Sequence, residues 1–199
     1  MKSMKSLSLV VFAALAAVAF AQPAQAMVNV SAVGSYNLTN TKEDPSNPLI
    51  TVGHGFGGGA LVSFPLMTAF EIETGALYTP FVTHIGAAPV EANLKQNYIV
   101  VPVLARFTLL PIVSFGAGIS YGVKTGDVTS DNSLVSAPGT LKNNVGLTGS
   151  VAIRLPLAPM FGFLVDTRYT FGLTDQSSTA GTTDKFNQLQ VLAGLNFKL

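Results

Sequence analysis

The chain has 199 residues, 48% of them hydrophobic and only 11% charged, with a formal net charge of +1. That balance gives no basic bias toward nucleic acid, and the absence of cysteine excludes disulfides, thiol chemistry and Cys-ligated metals. Beyond residue 26 no uncharged apolar run reaches the roughly 18 residues a membrane helix needs, so the apolar residues must be dispersed by some other pattern.

Residues 1–26 carry Lys2 and Lys5, an apolar run over residues 7–20 and then Ala24-Gln25-Ala26. A basic start, a short apolar core and an A-x-A site predict a secretory signal peptide cleaved after Ala26. Losing its two lysines turns the net charge to −1 and leaves one domain, residues 27–199.

The mature chain alternates apolar and small or polar residues. Residues 28–39 form a first such segment, with Val33 breaking its parity, and a polar, proline-broken loop over 40–49 follows. In 50–64 the face opposite the apolar one is largely glycine, from Gly53 to Gly59. A turn at 65–68 leads to 69–79, with Phe70, Ile72 and Tyr78 opposite Glu71 and Glu73. After a long loop over 80–96, residues 97–108 alternate again, Pro102 suggesting a bulge or a missing ladder bond. A tight turn at 110–111 precedes 112–123, the most regular segment, in which Val113, Phe115, Ile119 and Tyr121 face away from Ser114, Gly116, Gly118 and Ser120. The longest loop, 124–143, is followed by strands over 144–155 and 160–172 joined by a turn at 156–159. A loop over 173–185 leads to a last strand ending at Leu199.

A period of two puts successive side chains on opposite faces of a strand. Eight such strands, with connections running alternately long and short, predict an all-β fold: an eight-stranded antiparallel up-and-down transmembrane β-barrel. Lipid offers backbone groups no water, so closure of the sheet satisfies them and removes its edges. Two aromatic girdles are expected, Tyr36, Tyr78, Tyr98, Tyr121 and Tyr169 near the long loops, and Phe64, Phe70, Phe107, Phe161 and Phe197 near the short turns. Lys42, Lys95, Lys124, Lys142 and Lys185 fall in or beside the long loops, where they are placed to meet lipopolysaccharide phosphates.

The segments Phe-Glu-Ile-Glu-Thr-Gly-Ala-Leu-Tyr (70–78), Tyr-Ile-Val-Val-Pro-Val-Leu-Ala-Arg-Phe (98–107) and Phe-Gly-Ala-Gly-Ile-Ser-Tyr-Gly (115–122) carry a resemblance. On them the chain resembles the small eight-stranded, porin-like outer-membrane β-barrel proteins of Gram-negative bacteria. The resemblance implies an outer-membrane location, delivery to the barrel-assembly machinery and outer-membrane lipids as neighbours. Such barrels usually end in an aromatic residue, and Leu199 departs from that.

No catalytic, cofactor-binding or metal-binding constellation emerges. Gly118-Ile119-Ser120-Tyr121-Gly122 matches G-x-S-x-G but lies inside a strand, and both histidines, His54 and His84, precede it. His54 falls on the lipid-facing parity near the outer interface, where some lipid A deacylases of this architecture carry a catalytic histidine; an interfacial histidine is the better reading. The inward parity collects Glu71, Glu73, Arg106, Arg154, Asp166, Arg168 and Lys198, read as a salt-bridged plug in a filled polar interior. Counting from the 80–96 connection makes Glu71 and Arg106 neighbours, with Arg106 between Glu71 and Glu73. The functional expectation is a monomeric, non-enzymatic barrel with a structural or surface-interaction role through its loops. The alternatives are a porin-like channel for small solutes or hydrophobic compounds and, third, a lipid-modifying enzyme.

Overall fold

The computed structural model describes residues 28–44, 50–87, 90–132, 142–177 and 183–199; the expected signal peptide lies outside these residues. Eight strands, β1 (Asn29–Asp44), β2 (Ile50–Met67), β3 (Phe70–Ala87), β4 (Val90–Leu110), β5 (Val113–Ser130), β6 (Asn144–Ala158), β7 (Phe161–Gly172) and β8 (Thr183–Lys198), follow in chain order. Each pairs antiparallel with the next, and β1 pairs with β8 to close the barrel.

The alternation in the sequence becomes two surfaces. In β6, Asn144, Gly146, Thr148, Ser150 and Ala152 are buried, while Leu147, Val151 and Ile153 are exposed on the outer wall. A soluble protein would not leave such a band of Phe115, Ile119, Leu147, Val151 and Leu195 in water, but hydrocarbon accepts it.

All three short turns, at 68–69, 111–112 and 159–160, are flanked by a register shift, between Pro65 and Met67, Thr108 and Leu110, and Pro156 and Ala158. Such bulges turn the chain at a barrel rim. Pro102 makes no bulge. Its pairing with β5 is regular, and on the β3 side the ladder lapses between Thr74–Val103 and Leu77–Val100 without a change of register.

The strands run well past the ends expected from the sequence. Most of 80–96, read as a loop, is a hairpin extension of β3 and β4, paired from Pro80–Asn97 to Ala87–Val90. Pro80 is tolerated because β2 and β3 are unpaired between Val52 and Gly58, opposite it. β5 likewise continues to Ser130 through a bulge containing Gly126, whose φ of 79° is the left-handed conformation glycine adopts without strain.

Closing only eight strands demands sharp local curvature, and glycine supplies it. A Cβ on Gly118 would collide with the carbonyl of Val103, and one on Gly194 with that of Ala32. These inward-parity glycines serve the close approach of neighbouring strands.

Candidate functional site: the barrel interior and its two rims

Three arginines and three carboxylates from β3, β4, β6 and β7 occupy the lower half of the lumen. Arg106 is fully buried and grips Glu73 twice, Nε to Oε2 at 2.8 Å and Nη2 to Oε1 at 3.0 Å, while Nη2 also donates to Asp166. Arg168 Nη2 donates to the same two carboxylates, at 2.6 Å to Glu73 and 2.7 Å to Asp166. Nearer the short-turn rim, Arg154 pairs with Glu71 at 2.5 Å and lies 3.7 Å from Glu73.

Two expectations need correction. Glu71 and Arg106 are register partners as counted, yet Arg106 takes Glu73 and Asp166 while Glu71 takes Arg154. An arginine side chain is long enough to cross a narrow lumen, so the partner from β7 competes with the one on the adjacent strand. Lys198, counted among the interior charges, is exposed at the end of β8, where the strand has passed the rim. Without it the interior acids and arginines balance.

A second layer was not anticipated. Val33, Leu61, Leu77, Ala152, Leu164 and Leu192 form a buried apolar cluster inside the barrel, so the interior is part apolar and not polar throughout. All lie on inward parity, Val33 included, which explains its break in the alternation of β1.

Above this layer, Tyr98 corrects the girdle assignment. It is fully buried, packs edge-on against Phe81 at 4.8 Å and donates its hydroxyl to the Lys142 carbonyl at 3.1 Å; Phe81 also meets Phe186 at 5.6 Å. Phe81 was missed because the sequence there reads as loop, although it continues the inward parity of Glu73 and Leu77; Phe186 stands just past the 173–185 loop, on the inward parity of Gln188 and Gln190. Between the aromatic layer and Arg168 lies a cavity of about 20 Å³, bordered by Leu77, Val100, Ser120, Gln188 and Gln190, room for about one water.

The remaining aromatics lie on the outer wall. Tyr36, Tyr78, Tyr121 and Tyr169 are exposed toward the long connections, and Phe107, Phe161 and Phe197 toward the short turns, with Phe64 and Phe70 half-buried there. Ser120 points into the lumen and joins a hydroxyl chain to Thr148 at 2.7 Å and on to Thr170 at 2.8 Å, nothing like a strained nucleophile turn. His54 is exposed outside, 6.4 Å from the Tyr36 ring.

The long-connection rim is tied by polar contacts. Asn93 donates its backbone N–H and its side-chain amide to Asp131, both at 2.7 Å, and its amide oxygen faces His84 Nδ1 at 2.9 Å. The Asn93 backbone bond holds the Asp131 carboxyl below its ordinary range. Lys142 donates to the carbonyls of Asp175 and Ser177, and the backbone N–H of Asp184 likewise holds the Asp175 carboxyl down. A groove of about 520 Å³ lies between His54 and Phe56 on one side and Lys95 and Thr129 on the other.

Eight antiparallel strands in a closed ring, a lipid-facing apolar wall and a packed lumen define a small outer-membrane β-barrel. The model of the outer membrane protein beta-barrel domain matches residues 20–178, and the chain belongs to that family. No curated protein sequence matches significantly. Among solved structures, the outer membrane protein OprG from Pseudomonas aeruginosa is similar with a TM-score of 0.57 at 17% identity, over 87% of this chain and 96% of that one. Ail, the attachment invasion locus protein of Yersinia pestis, in complex with the heparin analogue sucrose octasulfate, is similar with a TM-score of 0.50 at 15% identity, over 85% and 99%. Neisserial surface protein A gives 0.50 at 13% identity, over 86% and 97%. At these identities the likeness is one of fold, and with the family match it places the protein in the outer membrane.

Proposed function

We propose that the protein is a non-conducting, non-enzymatic barrel that works through its long-connection end, which faces the cell exterior, in a structural or surface-interaction role. The observation that carries this reading is the lumen: a charge-balanced ion-pair cluster, an apolar layer and an aromatic layer are stacked along it, and the cavity between the aromatic layer and Arg168 has room for about one water. A buried cluster in which every charge meets an opposite one is costly to break, which disfavours a pathway through it. The test is swelling of liposomes that hold the refolded protein in isosmotic solutions of small sugars. Swelling no faster than protein-free liposomes is expected, and size-dependent swelling would overturn the reading.

One observation favours a second reading, passage of a hydrophobic compound through the barrel wall. β2 and β3 are unpaired between Val52 and Gly58, and the 520 Å³ groove reaches Gly55 and Val82 there. A Cβ on Gly55 would lie 3.3 Å from that of Pro80, so a Gly55→Cys/Pro80→Cys disulfide would stitch the interval. Hydrocarbon uptake lost on oxidation and restored on reduction would support this second reading over the first.

A further inference from the structure

The β1–β8 seam shows how the outer wall changes with height. From Tyr36 upward its outward-parity register pairs are Tyr36–Val191, Leu38–Leu189, Asn40–Asn187, Lys42–Lys185 and, last, Asp44–Thr183, in order toward the long-connection rim. The pairs pass from apolar to amide to cationic in single steps. Each step is two residues, about 7 Å along a strand, or about 5 Å along the membrane normal at a tilt of about 40°. The lysines therefore stand about 10 Å above the last apolar pair, within side-chain reach of the headgroup layer.

Lys42 and Lys185 are directly opposite each other in the ladder, Lys42 exposed and Lys185 half-exposed. Like charges in that relation destabilise a sheet unless something neutralises them. Neither is in an ion pair with a residue whose side chain is described. Asp175 is within electrostatic reach of Lys185, but its carboxylate already accepts the N–H groups of Ser177 and Asp184. Two lysines opposite each other in the ladder, on the outward parity at headgroup height, complement a doubly charged anion.

We infer that Lys42 and Lys185 form a seat on the outer wall for a phosphate group of an outer-leaflet glycolipid. The inference rests on the orientation given above and deepens the surface-interaction reading by naming one partner class and its contact. A phosphorylated glycolipid is anchored by its own acyl chains against Tyr36, Leu38 and Leu189, so the lysines need only select its charge.

The test uses the full chain folded in neutral detergent micelles, titrated with fluorescently labelled lipopolysaccharide and with the same lipid after enzymatic dephosphorylation. Folding of each variant is checked by the mobility of unheated protein on gels. Wild type is expected to bind the phosphorylated lipid more tightly. At about 1 kcal/mol per lysine near a charged surface, Lys42→Gln/Lys185→Gln weakens that binding about thirtyfold. Lys42→Arg/Lys185→Arg keeps it, and the single variant Lys42→Gln falls between. Binding by the double glutamine variant equal to wild type, or equal wild-type binding of the dephosphorylated lipid, overturns the seat. Full competition by inorganic phosphate overturns it too, in favour of a free-anion site. Micelles expose both rims, so failure here leaves the reading of a sealed barrel intact, whereas solute passage would overturn that reading without touching the lysines.

Discussion

Replacing Arg106 by leucine tests the interior most sharply. Its guanidinium is completely buried, meets Glu73 at 2.8 and 3.0 Å and donates to Asp166. Removing the cation leaves three interior carboxylates, Glu71, Glu73 and Asp166, against Arg154 and Arg168. Breaking a buried pair by deleting one partner costs about 3–5 kcal/mol. Arg168 still bridges both orphaned carboxylates, so the lower end, about 3 kcal/mol, is expected. Removing Asp166 as well, in Arg106→Leu/Asp166→Leu, restores charge balance and fills space with apolar volume beside Leu164 and Leu104. The double variant should then be more stable than the sum of the single losses, a coupling of about 1–3 kcal/mol. Urea unfolding in detergent micelles reads both quantities. An unchanged midpoint for Arg106→Leu would show that the cluster is hydrated and refute the reasoning.

Three other outcomes follow from the geometry. Gly118→Val, which drives a side chain into the Val103 carbonyl, should cost about 3 kcal/mol or abolish refolding. Gly149→Val, where nothing lies within 4 Å, should refold like wild type, so the pair isolates close strand approach from loss of glycine itself. Tyr98→Phe should lower unfolding stability by about 1 kcal/mol by deleting the hydroxyl bond to the Lys142 carbonyl, whereas Tyr36→Phe on the outer wall should not. Asp131 has a folded-state carboxyl depressed below its unfolded value, so its tie to Asn93 contributes above the unfolded pKa and is lost as pH falls through the folded one. Hydrogen exchange at the Asn93 amide should therefore lose protection only as the pH falls below the ordinary aspartate range, and Asp131→Asn should weaken this dependence.

The sequence carried the membrane-embedded part of the fold because lipid outside and a packed lumen inside impose opposite chemistry on alternate residues. Above the membrane the outer face of a strand meets water as well, and the contrast between the two faces fades. His84, Asn93, Lys95 and Thr129 alternate nothing legible, so the tall extensions of β3, β4 and β5 read as loops. Inside the barrel, counting along the hairpin located Glu71 opposite Arg106, because register is a property of one strand pair. Which acid Arg106 grips depends on how close β7 comes across the lumen, and no local pattern encodes that distance. Leu61, Leu77, Leu164 and Leu192 were visible on inward parity, yet only a closed lumen makes four inward leucines an apolar layer. Tyr98 carried inward parity as well, and its position near the girdle height hid its role over the lumen.

The central claim is a lumen that does not conduct, and single-channel recording across a planar bilayer tests it most directly. Wild-type protein inserted from refolded micelles in molar potassium chloride should give traces indistinguishable from the bare bilayer. Discrete, voltage-stable current steps whose ion selectivity shifts on Arg106→Leu would contradict the sealed interior and show that the arginine–carboxylate cluster lines a pore.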